Sequence, residues 1–495
     1  MVLLLALGLH ALLEPPSDAA YYLLWSRQPS LSYLDHPGAI AWLAWPWPDE
    51  QLLWAARLMP WLLALLDGLV LLALLRGLGH ASKLAVAVFC SPAFLGSALL
   101  WTPDAPLILA WHFGLLFLVR RWHGSALLPV ALALCASKLV GTYLLVLLVI
   151  ARLRQNQQEA RGTGQAPNQQ KPKEWLWGVA ALLLGAIVTW LCGTESLVFQ
   201  STRLGAAQAP SLWRLLSPLL LVAGLLALAG PGLMLAMVKL CWSRLRLPRS
   251  PTAPPQHLGA TPPLQRRCTA AAARRAMRLG RTRRLAKALL ELKGWMLGSA
   301  QTWRFLTLFS IGPFLLLAVL VRVELNWLLV GLLPLVFWAG AEKLVLSKAM
   351  LRLQVAAVVL LAALALAAPV AGHHPLRRLM GWRAWASSFP RAEAVLADRY
   401  QTASQLALYQ QCMGSTFEAI EPSSALRPSA LDKLDTSPLE CILIIWDRKA
   451  PPALVGQQWP IVVSAGSVHS SPAHGPPTRT FFELRARSES ACPQH

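Results

Sequence analysis

The sequence predicts an all-α polytopic membrane bundle followed by a small soluble α/β domain. Three observations carry that prediction. Hydrophobic residues make up 56% of the 495-residue chain and charged residues only 14%, whereas soluble domains run to about a quarter charged; the mean hydropathy is +0.48. Apolar runs approaching the ~18–20 residues needed to cross a ~30 Å hydrocarbon layer succeed one another through most of the chain. After residue 372 that pattern stops and short strand-like runs replace it.

Apolar segments are expected at about 1–13, 51–76, 83–100, 104–121, 125–151, 175–192, 213–240, 303–321, 325–341 and 350–371. The first, MVLLLALGLHALL, spans roughly 20 Å as a helix, too little to cross alone. It also lacks the basic n-region of a signal peptide, and a natural start further upstream is expected. Basic residues cluster between segments: Arg76 with Lys83, Arg120 with Arg121, Arg152 through Lys173, a loop at 241–300, and Lys343 with Lys348 and Arg352. Such loops mark the cytoplasmic side. Placing all five there forces segment 125–151 to enter and leave on one face, which its length supports only as two half-crossings. A break near CASKLVG is therefore expected. The count becomes about eleven transmembrane helices, with the N-terminus cytoplasmic and the C-terminal domain extracytoplasmic in a multi-pass protein of the cell (inner) membrane.

The net charge of +22 has the same origin. Residues 241–295 hold thirteen Arg or Lys and one acid, Glu291, a composition suited to anionic headgroups; the lipid bilayer, not nucleic acid, is the expected partner. Residues 152–174 and 248–265 are Gln- or Pro-rich and read as disordered. The chain divides into a membrane domain, 1–372, and a soluble domain, 373–495. In the latter an amphipathic RAEAVLADRYQTASQLALYQQ is expected before the strands LECILIIW, WPIVVSA and TRTFFELRAR. Of eight cysteines, four fall in or beside membrane segments and Cys268 in the basic loop, while Cys412, Cys441 and Cys492 fall in the tail. One tail disulfide is compatible with this, without a readable pairing.

Polar residues concentrate in the loops expected outside. SDAAYYLLWSRQPSLSYLDHP (17–37) carries Asp18, Tyr21, Tyr22, Asp35 and His36, and WTPDAPLILAW (101–111) carries Asp104. GTESLVFQSTRLGAAQ (193–208) adds Glu195 and Arg203, and RVELNWLLVG (322–331) adds Arg322, Glu324, Asn326 and Trp327. Ionisable groups beside lipid are costly unless they have partners or work to do, so their convergence on one face marks a reaction site. Each has a bland competitor. Asp18 and Asp104 suit helix N-termini, Asp35 and His36 suit a turn before Pro37, Lys138 suits snorkelling, and Asn326 with Trp327 suits an interfacial anchor. Asp67, inside LLALLDGLVLL, reads as a buried structural partner.

In order and spacing, SDAAYYLLWSRQPSLSYLDHP, TPDAPL, SKLVGTYLL, FQSTR and ELNW resemble the bacterial dolichyl-phosphate-mannose-protein mannosyltransferase-like proteins, the ArnT-like glycosyltransferases of the GT-C fold. The tail is similar too, through GWRAW and ADRYQTASQLALY. The family reads Asp-Glu where this chain has Asp18-Ala19, and DHPP where it has Asp35-His36-Pro37-Gly38. The resemblance implies transfer of a sugar from a polyprenyl-phosphate donor to a lipid, glycan or protein acceptor on the outer face, with inversion. Asp18 is then the catalytic carboxylate and Asp104 the second acid. Tyr21, Tyr22, Asp35, His36, Lys138, Arg203, Asn326 and Trp327 bind substrate, Arg203 and Lys138 facing the phosphate. No metal set of recognised spacing appears, and no cofactor is expected beyond the donor lipid. Two other classes compete: a transporter or flippase of a lipid-linked sugar, disfavoured by the lack of internal repeats, and a non-catalytic member, which Ala19 brings into view.

Overall fold

The computed structural model describes residues 2–33, 36–76, 81–163, 173–205, 212–246, 300–320, 323, 325–341, 346–367, 382–397, 400–411, 413–416, 440–446, 460–469 and 479–487. The Leu- and Ala-rich segments, strong helix formers, become α1 (Val2–Leu12), α4 (Leu52–Leu75), α7 (Asp104–Arg120), α9 (Val140–Thr163), α10 (Lys173–Gly205), α13 (Ala300–Leu320), α14 (Leu329–Ala341) and α15 (Lys348–Ala367). One apolar core joins α1 and α4 to α7, α9, α10, α13, α14 and α15, with fully buried Trp111, Phe117, Trp303 and Leu306 inside it. Large apolar side chains on outward faces remain exposed, such as Leu183 and Trp190 on α10 and Leu360 on α15, as suits helices bathed in lipid.

Several expected single segments are broken. The run 83–100 forms α5 (Ala81–Phe89) and α6 (Pro92–Leu99), because the Ser91 hydroxyl accepts from Phe94 N and Pro92 follows it, a strong helix start. The run 213–240 forms α11 (Leu212–Ala229) and α12 (Pro231–Arg246), bent by 117° where Pro231 interrupts the ladder. Gln354 of α15, fully buried, holds that bend: its Oε1 accepts from Gly232 N at 2.8 Å, and its Nε2 donates to Ala229 O at 2.7 Å and Ala87 O at 3.0 Å. The break expected near CASKLVG is present. α8 (Leu127–Ser137) ends there, Lys138 is extended, and α9 begins at Val140.

By length and composition, two helices among the described residues suffice to cross a membrane, Asp49–Leu75 and Trp175–Gly193, and the bent pair makes a third if it counts as one span. The expected count of about eleven is therefore not reached by straight helices, since broken runs leave pieces such as Gly124–Ser137 and Leu329–Gly340. Residues 193–205, expected as loop, continue α10 as helix; nothing stronger than Gly193 interrupts them. The loops 206–211 and 247–299 lie outside the described residues, as do Arg322 and Glu324.

The C-terminal part builds one five-stranded sheet in the order β2-β1-β3-β5-β4. β1 (Ala394–Ala397), β2 (Met413–Thr416) and β3 (Cys441–Trp446) run parallel, while β5 (Arg479–Ala486) pairs antiparallel with both β3 and β4 (Ile461–His469). The three strands expected from composition are present. The amphipathic stretch before them is not one helix: AVLA is a strand buried on both faces, and the helix α17 starts only at Tyr400 (Tyr400–Gln410). β-branched and apolar residues buried on both sides suit the centre of a parallel sheet. Cys441 on β3 is disulfide-bonded, its partner lying outside the described residues, whereas Cys90, Cys135 and Cys192 are free and buried.

This small domain rests on the N-terminal region. α17 packs on α2 (Ser17–Trp25), and Gln405 Nε2 donates to Pro15 O at 2.8 Å. The Glu14 carboxylate accepts from Trp382 N and from Arg383 N (3.2 Å) at the start of α16 (Trp382–Ala386), where a negative charge suits the helix dipole. Burial, with the Glu14 charge behind it, holds the Tyr409 hydroxyl well above the usual tyrosine range. A second core of Ala20, Tyr21, Leu24, Trp25, Ile40, Trp101, Leu406 and Leu443 joins the sheet to α2, α3 (Ala39–Ala44) and one end of the bundle.

Candidate active site

Asp104 opens α7, yet it does not cap it. The N-cap residue is Pro103, with no side-chain capping bond. Its carboxylate instead faces two side chains from distant parts of the chain: Lys138 Nζ donates to Oδ1 at 2.7 Å, and Asn326 Nδ2 donates to Oδ2 at 2.7 Å. Asp104 and Lys138 are each 8% exposed. A charge pair so removed from water persists only with good geometry and further hydrogen bonds, and the short contacts supply both. Asn326 Oδ1 is buried with no partner, an acceptor left facing the same region.

The break between α8 and α9 aims Lys138. The residue is extended (φ −161°, ψ 150°), so its ammonium leaves the helix axis instead of following it. Gly141 permits the tight reversal, since a Cβ there would lie 1.9 Å from Leu134 O. Snorkelling is thus not what this lysine does; it reaches inward to an acid. Asn326 lies in a 3-10 turn, Leu325–Leu328, that leads into α14.

The aromatic and histidine residues of the first motif approach from α2 and the loop after it. His36 stands near the Asp104 carboxylate and meets the Tyr22 ring at 5.9 Å. Tyr22 contacts Tyr21 at 5.4 Å and Trp25 at 5.0 Å, and Trp25 stacks on Tyr33 at 4.1 Å. The loop is pinned from within. Tyr33 OH donates toward Trp25 O and Gln28 O (2.9 and 2.8 Å) and accepts from Ser30 N, while Tyr33 N donates to His36 O. Burial pushes the Tyr33 hydroxyl up to about 12. Gly38 sits where a Cβ would come within 2.2 Å of Ser30 O. A bulkier residue would open the turn that presents His36.

Asp18 occupies the first turn of α2, one turn before Tyr21 and Tyr22, and its side chain is exposed. The cap position belongs to Pro16, so capping does not explain Asp18 either. Glu14 is engaged by the start of α16, and the Ala19 methyl is buried. Asp35 lies outside the described residues, and so do the side chains of Arg203, on the last turn of α10, and of Trp327.

The structure therefore brings Asp104, Lys138, Asn326, His36, Tyr21 and Tyr22 to one end of the bundle, beneath the sheet domain. Sequence reasoning passed over Tyr33, Trp25 and Trp101. Their signal was the density of aromatics around LSYLDHP and WTPD, beyond what a membrane belt requires. The indole N–H groups of Trp25 and Trp101 are buried without partners. Deeper in the bundle, Asp67 Oδ1 meets His112 Nδ1 at 2.7 Å, both side chains buried, as the structural reading of Asp67 expected. A cavity of about 50 Å³ borders that pair, Ser91, Ser97 and Ile108, one turn of α7 below Asp104. It has room for a few waters. Among the described residues no group of His, Cys, Asp and Glu has the arrangement to hold a metal.

No protein-family profile matches the chain, and no curated protein sequence matches it. Two solved structures share its fold. ArnT from Cupriavidus metallidurans bound to undecaprenyl phosphate aligns at 14% identity with a TM-score of 0.55, covering 100% of this chain and 97% of that one. The apo state of the same protein aligns at 14% identity with a TM-score of 0.50, covering 98% and 95%. The shared fold extends from the first helix to the terminal sheet.

Proposed function

We propose that this chain, which folds as ArnT does, is an integral-membrane glycosyltransferase that takes its sugar from a polyprenyl-phosphate donor. One observation carries the reading: a buried Asp104–Lys138 pair, braced by Asn326, at the end of the bundle where Tyr22 and His36 also arrive. A static ion pair alone would not require the unpartnered Asn326 oxygen, nor the unpartnered indoles of Trp25 and Trp101 in the adjoining core. Those groups suit hydroxyls and phosphate oxygens of an incoming ligand.

In the proposed reaction an acceptor hydroxyl attacks the anomeric carbon from the face opposite the phosphate. Its oxygen forms the new bond to that carbon as the carbon–oxygen bond to phosphate breaks, so the configuration inverts. The proton passes to the Asp18 carboxylate, exposed and ready to receive a solvent-borne acceptor. The bonding pair leaves with the polyprenyl phosphate, already stable as an anion, which cationic groups assist better than a strong acid. Lys138 faces that phosphate with Arg203 as a second cation. Asp104 holds Lys138 in place, and Asn326 Oδ1 accepts from a sugar hydroxyl. Tyr21, Tyr22 and His36 with Asp35 form the wall against which the sugar rests, and Trp327 extends it.

Such chemistry belongs outside, where nucleotide sugars are absent. The proposed orientation puts the site and the sheet domain on that side, and the disulfide at Cys441 fits an oxidising compartment. The test is purified protein in lipid nanodiscs with a radiolabelled polyprenyl-phosphate sugar and candidate acceptors. Transfer that disappears in Asp18→Asn and Asp104→Asn chains of normal yield supports the proposal. Passage of the lipid across a vesicle bilayer without transfer would instead establish a flippase.

A further inference from the structure

At the end of the bundle remote from Asp104, arginines lie over aromatic rings. The guanidinium of Arg152 is 5.5 Å from the Phe117 ring centre, that of Arg154 4.1 Å from Phe305, and that of Arg304 5.8 Å from Trp338. These contacts tie α9 to α7, α9 to α13, and α13 to α14. Arg120, at the last turn of α7, donates to Ala73 O on α4 and closes the same end. Along α7 it is about 24 Å from Asp104 at 1.5 Å per residue, most of a hydrocarbon thickness. Stacking on a ring fixes a guanidinium while leaving its N–H edges outward, where they match phosphate oxygens.

Where α9 and α13 meet at this end, buried polar groups lack partners. Gln155, one turn after Arg152 on α9, is 4% exposed, and neither its Oε1 nor its Nε2 is hydrogen-bonded. The Thr302 hydroxyl on the first turn of α13, also 4% exposed, has none. Unbonded buried groups are destabilising and rare in native proteins unless a water, ion or ligand completes them. The outward side of α13 beyond them is apolar and exposed, with Leu308 at 60% and Phe309 at 47%.

We infer that this end is a binding site for the headgroup of an anionic phospholipid of the cytoplasmic leaflet, separate from the proposed reaction centre. Phosphate oxygens accept from the Arg154 and Arg152 guanidiniums, Gln155 Nε2 and the Thr302 hydroxyl, while the acyl chains lie along Leu308 and Phe309. A soluble phosphate would use the cations but not that apolar face. Basic pockets between helices on the cytoplasmic side take such headgroups in the same way.

The experiment uses delipidated full-length protein in neutral detergent with cardiolipin, phosphatidylcholine or inorganic pyrophosphate. Binding is read by native mass spectrometry and by thermal shift. Cardiolipin should bind and raise the melting temperature, and phosphatidylcholine should not. Arg154→Gln should weaken cardiolipin about tenfold, the worth of one charge-assisted contact. Gln155→Leu should weaken it without lowering the lipid-free melting temperature, because it deletes an unbonded amide. Unchanged cardiolipin binding in the double variant overturns the proposal. So does equal stabilisation by pyrophosphate, which would make the site one for soluble anions. A Gln155→Leu chain that melts lower without lipid also counts against it, showing that the amide is bonded within the protein.

Discussion

Asp104 is the residue on which the site turns, because its two oxygens hold Lys138 and Asn326 in place. Asp104→Asn leaves a buried ammonium uncompensated, a loss of about 3 kcal/mol. The double variant Asp104→Asn, Lys138→Met should regain most of that stability while transfer stays at least about 100-fold down. Denaturation midpoints and transfer rates on the same preparations check both halves, and full recovery of activity would reduce the pair to scaffolding. Asp18→Asn should behave differently, since the side chain is exposed: normal stability, with transfer lower by about 100-fold or more. Tyr33 supplies a pH test outside the bilayer. Its folded value of about 12 lies above the unfolded one near 10. The unfolded chain therefore loses its proton first, and stability falls as pH rises from about 10 to 12. Tyr33→Phe should flatten that part of the stability-against-pH curve while lowering stability at neutral pH, as three hydrogen bonds vanish.

Among the elements, two helix breaks organise the molecule, and each rests on one residue. Gly141 lets α9 turn back against the end of α8, which points Lys138 at Asp104. Gly141→Ala should shift that lysine and reduce transfer more than stability, with the ratio of the two read from one preparation. At the α11–α12 bend, Gln354 bonds four backbone groups in a fully buried place. Gln354→Leu leaves them unsatisfied, at about 1–3 kcal/mol for each group that finds no new partner. The melting temperature should drop while activity per folded molecule persists. Only the first of these breaks was legible beforehand. CASKLVG betrayed itself through the charge of the flanking loops, whereas GPG at 230–232 sits in a run whose apolar content reads as one helix.

On the scale of the whole molecule, the proposed sidedness is the widest commitment. Val463 on β4 is 45% exposed, and Arg154 at the opposite end is exposed too. In intact cells a membrane-impermeant maleimide should label Val463→Cys and spare Arg154→Cys. The reverse pattern would place the reaction centre in the cytosol, where a prenyl-linked donor has no advantage over a nucleotide sugar. The docking of the sheet domain through Glu14, Pro15 and α17 seats that domain on α2, so its removal should uncover apolar residues of α2 and lower stability as well as activity.

The membrane class, the order of apolar segments, three strands of the sheet and six of the residues that meet at the candidate site could be read from the chain by itself. Hydrophobic runs, loop charges and short polar motifs are local properties, set by neighbours within about 20 residues. Tertiary structure alone decided that Asn326 meets Asp104 across 222 residues, that Glu14 caps α16, and that Gln354 holds a bend on another helix. Those outcomes depend on which helix faces pack and which buried groups then need partners. Such needs arise only once the faces have met, and no stretch of sequence contains both sides of the contact.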